Sequence, residues 1–281
     1  MKRKMNILLL TLFSVLSFFC TDKIIYQWRE KDPIMQQIKQ EEYKYKIEPI
    51  NALMEGNTII SGKKGQEIDR ITSFNNMKKY GSYNESLMTI KTLSPEISIE
   101  NNYDKYIISG NKENHMVALV FLIRDNENLT PLFSKLEEKG ITATFFVDGT
   151  FLEKNTSVIK ENPQVQFEIL SYEGEYNENF LKTSISYLEN LTKQKAKYCF
   201  TEIENDTLLK LCKKLNLHTI KSKNVIKKEL YKTIKNNLQN SMIIALEPNN
   251  YIEKELSSTL DYIQKKGYQI VSLNTLLSEN N

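Results

Sequence analysis

From Met116 onward, short apolar runs alternate with amphipathic stretches, and this alternation limits the fold more than any other feature of the chain. Val117–Ile123, Ile141–Val147, Val165–Leu170, Lys197–Phe200, Leu217–Ile220, Met242–Leu246 and Gln269–Leu273 are short enough, and apolar enough, to predict buried strands. Helices are expected between them at Leu129–Lys139, Asn155–Glu161, Asn179–Lys193, Asp206–Asn216, Lys227–Leu238 and Tyr251–Lys265. The first of these helices carries Thr130 at its N-cap, Pro131 in its first turn and Gly140 as its stop. Strands separated by helices cannot pair as hairpins, so the sheet is parallel, open or closed into a barrel. Ligands in such folds bind at the carboxyl ends of the strands.

The amino terminus reads differently. Lys2, Arg3 and Lys4 precede an apolar run from Met5 to Cys20, which is the pattern of an export signal. At about 16 residues the run is shorter than the roughly 20 of a transmembrane helix. No small-residue cleavage site follows it, and Phe19 stands before Cys20 where lipoproteins usually carry a small residue. The leading expectation is an uncleaved anchor on the cell membrane, with lipidation at Cys20 and cleavage with secretion as alternatives. The rest of the chain is then extracytoplasmic. An oxidising compartment would allow a Cys199–Cys212 disulfide, with two buried thiols as the other reading.

Between the anchor (residues 1–22) and the regular pattern, residues 23–46 read as a helical stalk or a packing helix, with Ile34, Met35 and Ile38 on one stripe. Residues 47–112 read as a small α+β module of short segments broken by Asn57, Gly62, Gly65, Gly81 and Pro95. The barrel-like domain takes 113–281. A net charge of +3, from 38 basic and 35 acidic residues, argues against nucleic acid as a partner. Only four of the basic residues are Arg (Arg3, Arg29, Arg70 and Arg124), which leaves few planar forks for gripping phosphate. Two His and three Cys cannot build a His- or Cys-rich zinc site. His115 reads as an exposed loop residue and His218 as a packed strand residue.

Val117–Phe121, the segment Ile141–Gly149 (ITATFFVDG), Gln166–Ile169, Ser241–Leu246 and Lys266–Leu277 together resemble the polysaccharide deacetylase family. That family is also called the NodB-homology or carbohydrate esterase family 4 domain. The resemblance covers roughly residues 116–278 and implies an α/β fold, a distorted (β/α) barrel. It also implies a divalent metal, commonly zinc, held by one Asp and two His. A second Asp then acts as base on the metal-bound water and a late His as acid.

This chain departs from that pattern at each functional position. The paired Asp of the family fall within Val120–Arg124, where Leu122 and Ile123 stand. The two His fall on Tyr172 and Tyr176, the Arg-Pro-Pro segment on Cys199–Thr201, and the His-Asp pair on Leu246 and Glu247. No catalytic residue and no metal ligand are therefore assigned, and no cofactor is expected. Asp125, Asp148, Tyr172, Glu175, Tyr176 and Glu247 remain as candidates for the rim of a vestigial groove. Its tyrosines could stack on wall glycan, contact an envelope protein, or merely fill the vacated metal pocket. The leading expectation is a catalytically inactive, deacetylase-like envelope protein. The alternative is a divergent carbohydrate deacetylase with a rearranged site, which would need zinc or another divalent metal.

Overall fold

In the computed structural model, which describes residues 23–124, 128–171, 177–222 and 224–280, the apolar runs become the staves of a barrel. Its strands are β1 Tyr106–Ser109, β2 Met116–Ile123, β3 Thr144–Val147, β4 Gln166–Leu170, β5 Tyr198–Thr201, β6 His218–Lys221 and β7 Met242–Leu246. They pair in the order β1-β6-β5-β4-β3-β2-β7, all parallel. The ring closes where Met242 of β7 pairs with Ser109 of β1 in the antiparallel sense. Ser109 Oγ reinforces that seam by donating to the Ser241 carbonyl at 2.7 Å. Gln269–Val271 lies outside the ring, pairing with the first half of β2.

Strand β2 shows how the sequence sorts its two faces. Val117, Leu119, Phe121 and Ile123 pack outward with Leu132, Phe145, Phe151 and Leu256, in the layer beneath the helices. Ala118, Val120 and Leu122 point inward and pack with Phe146, Leu170, Phe200 and Ile220. Both faces are buried, so this strand reads as a continuous apolar run rather than as an alternation.

The described residues form two compact units, one within 23–49 and 65–93 and the other within 50–64 and 94–280. In the first, Asp32 caps the helix Pro33–Glu41 by accepting from the Ile34 amide at 3.0 Å. Ile34, Met35 and Ile38 on that helix bury against Phe74 and Met77 of the helix Arg70–Tyr80 and against Ile68. The hairpin Gly65–Ile68 with Ile90–Leu93 completes this unit. The second helix ends at Gly81, whose φ of 97° supplies the left-handed stop.

This grouping decides between two readings of the sequence and corrects a boundary. Of the stalk and the packing helix, Pro33–Glu41 is the packing helix, because its apolar stripe meets a partner within the smaller unit. The boundary at 112/113 fails. Thr58–Ile60 pairs in parallel with β1, and β1 is itself a stave of the barrel, so 50–64 and 94–112 belong to the larger unit. Among the described residues no helix is long and apolar enough to cross a membrane.

Cys199 on β5 and Cys212 on the helix Asp206–Lys214 are joined as a disulfide, with their Cα atoms 6.8 Å apart and both residues fully buried. A second tie within the larger unit comes from Glu279, only 2% exposed. Its carboxylate accepts from the amides of Gly62 at 2.9 Å and Ile99 at 3.0 Å, and from the Ser98 hydroxyl. Glu279→Ala strands three buried donors and is expected to lower unfolding stability by about 2 kcal/mol, read from urea midpoints. Glu279→Gln keeps acceptors for the two amides and is expected to recover most of that loss. Equal losses in the two variants would show that the carboxylate does not form the tie.

Candidate functional site

The carboxyl ends of the staves form the rim where a barrel of this kind binds its ligand. Leu122 and Ile123 end β2 there, each with no exposed surface. Their positions are the ones at which the resemblance expects paired carboxylates. Leu122 closes the barrel interior together with Phe146, Leu170 and Phe200, and Ile123 lies in the helix-facing layer. An apolar plug therefore occupies the floor of the rim.

Carboxylates at the rim have partners within the chain. Asp148 follows β3 and is 6% exposed; it serves as N-cap of the helix Gly149–Lys154, accepting from the Phe151 amide at 2.7 Å. A Cβ on the next residue, Gly149, would meet the tip of the Phe180 ring at 2.6 Å, so any larger residue there would have to displace that half-exposed ring. Glu247 follows β7 and pairs with Lys227 at 2.9 Å. Arg124 follows β2 and pairs with Glu202, which follows β5. The hydrogen bond to Glu247 is the chief reason that the Lys227 amine is held above its ordinary range, and the Glu202 charge adds to it while Arg124 opposes. Four charges thus balance at the rim. Of these, Arg124, Glu202 and Lys227 were not singled out as site residues from the sequence. The signal was there in Arg124, one of four arginines in the chain, placed directly after the first apolar run.

Asp125, Tyr172, Glu175 and Tyr176 lie outside the described residues. Asp148 and Glu247 are placed at the rim, but their carboxylates are turned to a helix cap and an ion pair. Among the described residues no three His, Cys, Asp or Glu side chains gather where they could hold a metal ion. The two histidines lie away from the rim. His115 stacks on Tyr268 with ring centres 3.9 Å apart, and its Nδ1 is 2.9 Å from the Asn240 side-chain oxygen. His218 opens β6 at the opposite end of the barrel, stacked on Tyr103 with centres 4.0 Å apart. What remains chemically at the rim is a set of hydrogen-bonding and ion-paired groups around an apolar floor, with no metal-holding cluster among the described residues.

Among solved structures, the chain is similar to wild-type BA3943, a family 4 carbohydrate esterase pseudoenzyme from Bacillus anthracis. The TM-score is 0.66 at 20% identity, covering 89% of this chain and 97% of that one. PdaA of Bacillus subtilis, a family 4 carbohydrate esterase, aligns with a TM-score of 0.55 and 17% identity over 63% of this chain and 86% of its own. The fold is that of the family 4 carbohydrate esterases. No family model matches the sequence. A curated relative, YlxY of Bacillus subtilis, is 27% identical over 133 residues, 47% of this chain. The chain covers 42% of that relative's length. The distorted barrel expected from the sequence is therefore present, and its β2 carries Leu122 and Ile123 at the end where the deacetylase pattern has its two Asp.

Proposed function

We propose that this protein is a non-catalytic member of the envelope that uses the esterase-fold rim to hold wall polysaccharide rather than to hydrolyse it. The observation that carries the reading is the apolar pair Leu122 and Ile123, both fully buried at the place where deacetylation needs carboxylates. A metal-bound water needs ligands to lower its pKa and a base to take its proton. Leucine and isoleucine supply neither. Similarity in fold to a protein described as a pseudoenzyme supports the same reading. A mutant of that protein is described as having restored enzymatic activity, so in that case the fold outlasted its chemistry.

The apolar run Met5–Cys20 after three cations supports attachment to the cell membrane, with the folded units on its outer face. The Cys199–Cys212 disulfide fits an oxidising compartment. Polysaccharide is favoured as the ligand because Arg124, Glu202, Lys227 and Glu247 offer donors and acceptors suited to hydroxyl groups.

The test uses the full chain in detergent, equilibrated with Zn²⁺, Mn²⁺ and Ca²⁺, with bound metal measured by mass spectrometry. Acetate release from chitooligosaccharides and peptidoglycan is followed alongside, and so is co-sedimentation with purified wall. The expected result is substoichiometric metal, no acetate release and retention on the wall material. Stoichiometric transition metal with acetate release would overturn the reading in favour of a divergent deacetylase. Protein that neither binds metal nor sediments with wall would overturn the polysaccharide part.

A further inference from the structure

Residues 23–31 are helical, and their large apolar side chains face solvent. Ile24 is 52% exposed, Ile25 55%, Tyr26 54% and Trp28 76%. At about 100° per residue, Ile24, Ile25 and Trp28 fall on one side of the helix, and Tyr26 lies on the far side, where the Arg29 guanidinium sits 5.7 Å from its ring centre. Nothing in the smaller unit's own core, built from Ile34, Met35, Ile38, Ile68, Phe74 and Met77, reaches them. The acidic residues at the end of this segment are already neutralised, Glu30 by Lys39 and Asp32 by Lys78. Lys23, Arg29 and Lys31 make no ion pair among the described residues. Cations without acidic partners therefore stand beside an exposed face of Ile24, Ile25 and Trp28.

That face directly follows the apolar run Met5–Cys20. The run has about 16 residues, fewer than the roughly 20 that a hydrocarbon core of about 30 Å asks of a spanning segment. Trp and Tyr concentrate where hydrocarbon meets water, and Lys and Arg reach from there toward anionic headgroups. We infer that residues 24–28 lie in the headgroup layer of an anionic phospholipid membrane, with Trp28 at the boundary between acyl chains and headgroups. This rests on the membrane attachment proposed above and deepens it: the attachment extends past Cys20, and the helix 23–31 lies against the bilayer surface.

Trp28 is the only tryptophan of the chain, so its fluorescence reports on this segment alone. The full chain is incorporated into vesicles of phosphatidylglycerol and phosphatidylethanolamine and recovered by flotation. The expected result is a blue-shifted Trp28 emission and a several-fold loss of iodide quenching relative to N-acetyltryptophanamide. Quenching by brominated lipids should be strongest when the bromines are placed near the carbonyls. Ile24→Asn with Ile25→Asn should restore iodide quenching while leaving flotation unchanged. A chain that floats while Trp28 stays as accessible as N-acetyltryptophanamide would overturn the inference and leave the attachment standing. Trp28 shielded from iodide but untouched by brominated lipid would mean protein covers it, a second copy for example, and would overturn it as well. A chain that does not float would remove both.

Discussion

Replacing Leu122 with Asp is expected to lower unfolding stability by at least about 4 kcal/mol, enough to leave a typical domain partly unfolded at 25 °C. Leu122 has no exposed surface and lies inside the barrel beside Phe146, Leu170 and Phe200. A carboxylate there would lose its water without gaining a donor. It would either carry an unpaired charge into an apolar interior or take up a proton, and both states cost stability. Volume is not the cause, so Leu122→Met should cost less than about 1.5 kcal/mol. Zn²⁺ is not expected to rescue the Asp variant, because one carboxylate does not make a metal site and a metal stabilises only the state that binds it. Urea midpoints of the three proteins, with and without Zn²⁺, decide the matter. An Asp variant as stable as the Met variant would show that this end of the barrel is wet, and the non-catalytic reading would lose its main support.

The barrel was legible in the sequence because a strand buried on both faces must be apolar throughout. Val117–Ile123 and Met242–Leu246 announce themselves in that way. The strand Tyr106–Ser109 did not mark itself as part of that ring. It has four residues, two of them only half-buried, and its partners β6 and Met242 lie more than 100 positions away. That is why the boundary is expected at 112/113, whereas the larger unit already takes in 50–64 and everything from Ser94 onward. The change at the rim was legible for a different reason: an apolar pair at a position where a resemblance expects two acids is visible in one sequence. The charges that replace them were not. Arg124 and Glu202 are 78 positions apart, and no local spacing rule links the ends of β2 and β5. The role of Asp148 was hidden by the same motif that exposed the fold. Asp-Gly after a strand suggests a rim acid, whereas the backbone uses it to start a helix.

At the opposite end of the barrel, two buried groups are expected to give the protein opposing dependences of stability on pH. Glu168 on β4 is 2% exposed and accepts from the amides of Lys197 at 2.9 Å and Tyr198 at 3.0 Å. Burial outweighs these bonds and pushes its carboxyl from 4.5 up to about 7. The folded state therefore holds an extra proton between those values, and the associated stability, full below pH 4.5, is lost as pH rises toward 7. His218 on β6 is stacked on Tyr103, and its Nδ1 is buried without a partner among the described residues. Burial lowers it from 6.5 to about 4, against a small opposing pull from Glu100. Its stability contribution is full above pH 6.5 and is lost as pH falls toward 4. Each shift corresponds to about 3 kcal/mol at its limit, so in the native protein the two slopes largely cancel. Glu168→Gln should leave the histidine slope, with stability rising from pH 4.5 to 6.5. His218→Phe keeps the stack on Tyr103 and should leave the carboxylate slope, with stability falling over the same range. The other carboxylates titrate alike in both variants, so the difference between their two profiles isolates the pair. Urea midpoints at half-unit steps of pH should therefore diverge in opposite directions, and parallel profiles would mean that these two groups titrate at their ordinary values.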